Sequence, residues 1–236
     1  DTSDDRGLVA LSFTPRFIAN SNVFGLPSKV ISGVDFQDST LSVNRSAKLS
    51  DPPIHSYALR QRSLAGYWQN TVGFTPNTDV SWGARLQQTT VSASDQFDPN
   101  APGAFFGDAQ AVPLHSTETQ HALHFGAEHR FNHIVTAFGR IARSFRTPNV
   151  DERIGVQSFP VDFSLRTQTS RDMEAGVRLV FGPATIRSSV YDMRLKDEIH
   201  YSPEVFANIN LDPTRRYGSE TSLTWRVDQN LTLKGG

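Results

Sequence analysis

The sequence predicts an all-β protein, specifically an antiparallel up-and-down transmembrane β-barrel, and three observations predict it. Alternation of period two runs for 13 or more residues at a time, well beyond the usual strand of about 5 or 6. Connections alternate between short and long, as they do in outer-membrane barrels. No stretch approaches the roughly 18 consecutive apolar residues of a spanning helix. A barrel strand hides its lipid face in every second residue, so averaged hydropathy misses it.

Composition narrows the function classes. The 236 residues carry 23 Lys and Arg against 24 Asp and Glu, so there is no basic field for nucleic acid. Cysteine is absent, which removes disulfides, thiol catalysis and Cys-based zinc sites. The opening DTSDDRG has neither a charged nor an apolar leader region, so no signal peptide is expected within the chain. No nucleophile elbow, P-loop, dinucleotide fingerprint or zinc-protease helix occurs, and the chain is not expected to be an enzyme. A soluble β-sandwich also alternates, but it does not need strands of this length.

About ten strands are expected, at residues 6–19, 29–43, 56–74, 79–94, 114–130, 134–145, 167–181, 185–201 and 214–228, with a last one beginning at 231. Val9, Leu11, Phe13 and Phe17 form an apolar row in the first. In the third, Leu64, Trp68 and Val72 share parity with Arg60, Arg62 and an unexplained Asn70. Val80, Trp82, Ala84 and Leu86 oppose Ser81, Arg85 and Gln87. His121, Leu123, Phe125 and Ala127 oppose Glu118, Gln120, His124 and Glu128, and Met173, Ala175, Val177 and Leu179 oppose Asp172, Glu174 and Arg178. In the eighth, Tyr191, Met193 and Leu195 are assigned to lipid and Asp192, Arg194 and Lys196 to the lumen. In the ninth, Leu223 and Trp225 oppose Arg216, Glu220 and Arg226. Short turns fall at TPNT (75–78), FNH (131–133), GPA (182–184) and DQN (228–230), rich in turn-forming residues. The connection 23–28 is read as longer than these. Long loops are expected at 44–55, 95–113, 146–166 and 203–213.

RSFRTPNVDER (143–153), QTSRDMEAGVR (168–178), SVYDMRLKDEIHY (189–201) and NINLDPTRRYGSET (208–221) occur in order. Together they resemble the barrel of TonB-dependent outer-membrane receptors. The resemblance implies a segment of about ten strands from a 22-stranded parent, residues 1–236 forming a partial barrel without the plug domain or TonB box. It further implies residence in the bacterial outer membrane and TonB-coupled import of a scarce ligand, foremost a ferric siderophore. The expected partners are a ferric chelate, the receptor's own plug, TonB and the lipid bilayer. No cofactor is expected. A passive porin-like channel is the alternative function, and a haem receptor a less favoured one. Phe145, Arg146 and Pro148 look like part of a haem-receptor box, but Thr147 replaces its alanine and no histidine falls between His133 and His200.

Candidate ligand contacts in the external loops and upper lumen are Arg146, Phe105, Phe106, Phe159, His115 and His121. Arg85, Glu118, Arg140, Arg178, Arg194, Arg216 and Glu220 are expected to line the lumen and meet the plug. The seven histidines are spread over opposite faces and are not expected to form a metal site.

Overall fold

The computed structural model describes residues 2–155 and 161–236. One antiparallel sheet dominates it, built from β1 (Ser3–Phe13), β2 (Arg16–Val23), β3 (Leu26–Ser46), β4 (His55–Thr75), β5 (Thr78–Phe97), β6 (Leu114–Arg130), β7 (Val135–Arg146), β8 (Gln168–Phe181) and β9 (Ala184–Lys196). The short β10 (Ile199–Ser202) and β11 (Ala207–Asn210) pair only with each other, and β12 (Thr214–Arg226) and β13 (Thr232–Gly235) complete the large sheet. Its order is β1-β3-β4-β5-β6-β7-β8-β9-β12-β13, with β2 also on β3. Apart from β2, which shares β3 with β1, and the separate β10–β11 hairpin, each strand of the sheet pairs with the next in sequence, as an up-and-down meander requires. Among the described residues the one helical element is a single 3-10 turn at Asp151–Arg153, and no helix is long and apolar enough to cross a membrane.

β1 and β2 are one physical strand. Phe13 faces Phe36 and Arg16 faces Gly33, so the register continues unbroken past Pro15. Pro15 has no N–H to give the ladder, yet its carbonyl still accepts from Val34 N at 3.2 Å. Counting β1 and β2 as one, the eleven strands make ten tracks.

The turns at one end are short for local reasons. Val23 pairs with Leu26, so the connection is only Phe24 and Gly25, at φ of 55° and 82°. Two successive positive φ values mark a type I′ hairpin, which corrects the longer connection expected there. Asn132 Oδ1 accepts from Ile134 N and Val135 N at 2.8 Å, and Asp228 Oδ1 accepts from Asn230 N and Leu231 N at 2.7 and 2.9 Å. These side chains mimic a backbone turn. Phe181 pairs with Ala184 around Gly182 and Pro183, with Gly182 at φ 54°. The opposite end carries the long loops, including the extra β10–β11 hairpin. The strand expected through residue 201 therefore stops at Lys196, where Asp197 at φ 55° breaks it.

Residues opposite each other in register share a face, so the pairings assign every side chain. One face carries Phe13, Phe17, Phe36, Trp68, Trp82, Leu123, Phe125, Ile141, Met173, Val190, Leu223 and Trp225. Leu123, Phe125 and Trp225 are 51%, 50% and 43% exposed, so these large apolar groups are not gathered into a core. Asn70 lies on this face and is buried, with Ser28 Oγ donating to its Oδ1 at 2.7 Å. It sits opposite Trp82, whose ring meets Trp68 edge-on at 6.2 Å. The pair satisfies itself where neighbouring groups are apolar.

The other face is charged. Arg140 pairs with Asp172 at 3.2 Å, Arg178 with Glu128 at 3.0 Å, Arg187 with Glu174 at 3.2 Å, and Arg85 with Asp35. Each pair bridges two strands. Gly176 sits opposite Phe138, whose ring covers it and carries the Arg187 guanidinium 4.1 Å above.

β9 reverses the expected assignment. The two-residue turn puts Phe181 and Ala184 on one face, so the apolar face of β9 holds Ala184, Ile186 and Val190, continuing upward into Asp192, Arg194 and Lys196. Tyr191, Met193 and Leu195 share the charged face, where Leu195 is only 5% exposed. Arg194 thus stands on the apolar side of the sheet and not with Arg178 and Arg216.

Candidate functional site

The charged face changes character at its long-loop end. Leu41, Val43, Tyr57, Leu59 and Ala93 are buried there, packed with loop residues Ala111, Val150, Ile154, Val161 and Phe163. The loops from β5 and β7 thus fold inward over the sheet and form a small apolar core of their own. Removal of these side chains from water drives the docking. Alternation hid the cluster, because these residues occupy the face that is polar lower down.

A buried polar clamp holds the β5–β6 loop beside that core. His55 opens β4 and is sandwiched by Tyr57 and Phe97 at ring distances of 5.3 and 4.8 Å. Its Nδ1 lies 2.9 Å from Asp95 and its Nε2 3.1 Å from Asp108, a loop residue. Asp95 also accepts from Ala111 N at 2.9 Å, and its carbonyl accepts from Gln110 Nε2 at 2.6 Å. Burial opposes the imidazolium, but its hydrogen bonds to the Asp95 and Asp108 carboxylates outweigh that and raise the His55 pKa above its ordinary 6.5. The two ring nitrogens face opposite ways, so His55 and its carboxylates grip the loop without converging on a common point.

Arg45 ties the first strand to the β7 loop. Its Nε donates to Asp4 at 2.9 Å and its Nη2 to the Gly155 carbonyl at 2.9 Å, with the guanidinium 5.5 Å from the Tyr57 ring.

A cavity of 750 Å³ opens where β6 and β7 part. Their pairing ends at Leu123 and Arg143, while β6 runs on to Leu114. Glu118, Gln120, Arg153, Arg166 and Thr167 line the space, and Arg143, Arg171, Arg194 and Lys196 border it. Thr167 Oγ1 donates to Glu118 at 2.6 Å, and Arg166 pairs with Asp197 at 2.7 Å. Arg153 is buried, donating through Nη1 to the Phe163 and Leu165 carbonyls at 2.7 and 3.0 Å. Its Nε finds no hydrogen-bond partner among the described residues. Burial pulls its pKa down, with Glu118 and Glu152 pulling the other way.

The expected site residues scatter. Glu118 lines the cavity. Arg85, Arg140, Arg178, Arg216 and Glu220 lie on the charged face, with Arg216 paired to Glu198. Arg146 is engaged by Glu152, which also accepts from Asn149 N at 2.9 Å, so it braces the loop. His115 and His121 point to the apolar face, where His115 Nδ1 meets Ser92 Oγ at 2.9 Å, and so stand away from the cavity. Phe105 and Phe106 are exposed in the β5–β6 loop, outside the cavity lining. Phe159 lies outside the described residues. Sequence reading missed His55, Asp95, Asp108 and Arg153. Isolated polar residues in loops and at strand ends carry no periodic signal.

An amphipathic meander with short turns at one end and folded-in loops at the other now has a match. A protein-family model described as "TonB dependent receptor-like, beta-barrel" covers residues 1–236. The chain belongs to the TonB-dependent receptor family. Among solved structures, it is similar to the ferric-catecholate import receptor Fiu of E. coli K12 at TM-score 0.70 and 13% identity, over 96% of this chain and 36% of that one. It is also similar to the ferric yersiniabactin uptake receptor FyuA of Yersinia pestis, at 0.68 and 15%, over 97% and 34%. The copper transporter OprC superposes at 0.71 with 14% identity, over 94% and 35%. The chain thus spans about a third of the length of these receptors. No curated protein sequence matches it significantly. The family comprises transport receptors of the outer membrane and not enzymes. At these identities the superpositions speak for the fold alone.

Proposed function

We propose that this chain is a segment of the wall and external loops of an outer-membrane receptor that imports a scarce ligand by TonB coupling, with a ferric siderophore as the foremost ligand class. In this reading the apolar face meets lipid and the charged face lines the bore, where Arg85, Arg140, Arg178 and Glu220 oppose the plug. Residues 1–236 form barrel only, and the plug and TonB box belong to other parts of the receptor.

One observation carries the ligand assignment: the cavity between β6 and β7 presents a buried arginine with an unused donor. Arg153 and Arg166 line it together with Glu118 and Asp197, and Arg166 is already paired with Asp197. The buried Arg153 keeps one N–H without an acceptor among the described residues. An anionic or oxygen-rich chelate supplies that acceptor, and a charge-assisted hydrogen bond of this kind is worth about 1.5–3 kcal/mol.

The test is uptake of radiolabelled iron, presented as citrate and catecholate chelates, by cells carrying the whole receptor. The reading predicts saturable uptake that a protonophore abolishes and that Arg153→Gln weakens about tenfold in half-saturation. Uptake indifferent to the protonophore would assign the wall to a passive channel instead.

A further inference from the structure

Four arginines form one continuous row across the apolar face. Arg143 pairs in register with Arg171, Arg171 with Arg194, and Arg194 with Arg215. Like charges directly opposite each other are destabilising, so a row of four calls for a counter-charge. Asp192 is the acid within reach, with Arg215 Nε at 3.1 Å and Arg194 at 4.0 Å. Arg143 donates to the His121 carbonyl and to Gln120. Arg171 makes no hydrogen bond or ion pair with the described residues, and Lys196 adds a further cation on the same face.

An apolar trough runs down the sheet from this row. Its upper part, 480 Å³, is lined by Leu123, Phe125, Ile141 and Met173, with Arg143, Arg171 and Arg194 at its lip. A lower part of 660 Å³ continues over Ala127, Gly139 and Ala175. These small residues leave a slot between the larger Phe125, Met173 and Val190.

The height of the row decides what it meets. Arg143 lies ten residues beyond His133, and Arg215 thirteen before Asp228. At a rise of about 3.3 Å per residue and a tilt of about 40°, the arginines stand about 25–33 Å above the short turns. The apolar band of such a barrel is about 25 Å tall, so the row reaches the headgroup layer at the long-loop side.

We propose that this row and trough form a binding site for one phosphorylated lipid of the outer leaflet. The arginines hold its phosphates and the trough takes an acyl chain. A guanidinium fork matches phosphate bidentately, and the slot supplies apolar contact that a free anion does not use. The proposal rests on the reading that this face meets the outer membrane.

The test uses the whole receptor, reconstituted in nanodiscs containing equal diphosphoryl lipid A and its fully dephosphorylated counterpart, with retained lipid counted by native mass spectrometry. The parent receptor is expected to retain the phosphorylated form selectively, undisturbed by excess inorganic phosphate. Arg171→Gln with Arg194→Gln should cut that selectivity by about tenfold or more. Ala175→Phe, which fills the slot and spares the arginines, should also lower retention. Thermal melts of each variant show that the barrel remains folded. Equal retention of both lipids, a double variant indistinguishable from the parent, displacement by inorganic phosphate, or a neutral Ala175→Phe would overturn the site. A receptor that does not fractionate with outer membranes would instead overturn the wall reading beneath it, which separates the two failures.

Discussion

Replacing His55 by Ala should release the β5–β6 loop without unfolding the barrel. His55, Asp95 and Asp108 have side chains only 1%, 0% and 2% exposed, so the substitution leaves two buried carboxylates facing a void. Breaking one buried ion pair costs about 3–5 kcal/mol, and the loop retains other anchors in Ala111 and Gln110. An opening free energy reduced by about 3 kcal/mol corresponds to roughly a hundredfold loss of protection, since 1.4 kcal/mol is about tenfold. Amide exchange of residues 98–113 in the whole receptor reads this directly, corrected for the intrinsic rate at each pH. The pH dependence has a definite sign. The raised pKa of His55 in the closed loop means that its contribution is complete below about 6.5, the open-loop value, and fades as pH rises through the higher closed-loop value. Protection that is unchanged in His55→Ala, or that rises with pH over that window, would refute the clamp.

Three further substitutions probe the sheet. Gly176→Val should destabilise the barrel by about 1–3 kcal/mol, because a Cβ there would lie 2.6 Å from Phe138 Cζ and against the Ser188 carbonyl; a denaturation midpoint checks it, and an unchanged midpoint contradicts that packing. Asn70→Ala strands the Ser28 hydroxyl on the apolar face and should cost about 1–3 kcal/mol, whereas the double replacement Ser28→Ala with Asn70→Ala should recover part of the loss in the same unfolding assay. Phe24→Asn should stabilise by up to about 1 kcal/mol, since Phe24 at φ 55° occupies a position where Asn is tolerated far better; a lower melting temperature would speak against a type I′ turn.

Much of the fold was legible in the chain. Long alternation gave the ten tracks, and Pro, Gly, Asn and Asp gave the short turns, because both signals are local. β9 shows where locality misleads. Its Asp192, Arg194 and Lys196 suggest a row on the charged face, but they continue the apolar face toward the long-loop end, where that face also turns polar. The GPA turn held the answer: a two-residue hairpin keeps Phe181 and Ala184 on one face and fixes the parity of everything that follows. Pro15 left a continuous strand looking interrupted only to a hydrogen-bond count. The cavity was hardly legible, since Arg153 and Thr167 meet Glu118 across a loop whose path no periodicity encodes. The buried cluster of Leu41, Val43, Tyr57 and Phe163 was hidden for the same reason. Its strand residues look like ordinary alternation until the loops fold onto them.

Residues 1–236 contain no cysteine, so once any cysteine elsewhere in the receptor is replaced, a label reports from this segment alone. Single cysteines placed along β8 and β9 of the whole receptor in membranes, then spin-labelled, report collision with dissolved oxygen in lipid or with a water-soluble nickel chelate. The account predicts that Met173, Val177, Ile186 and Val190 positions favour oxygen, and that Glu174, Arg178, Met193 and Leu195 do not. Oxygen preference at positions 193 and 195 with nickel access at 186 and 190, or no alternation at all, would contradict it.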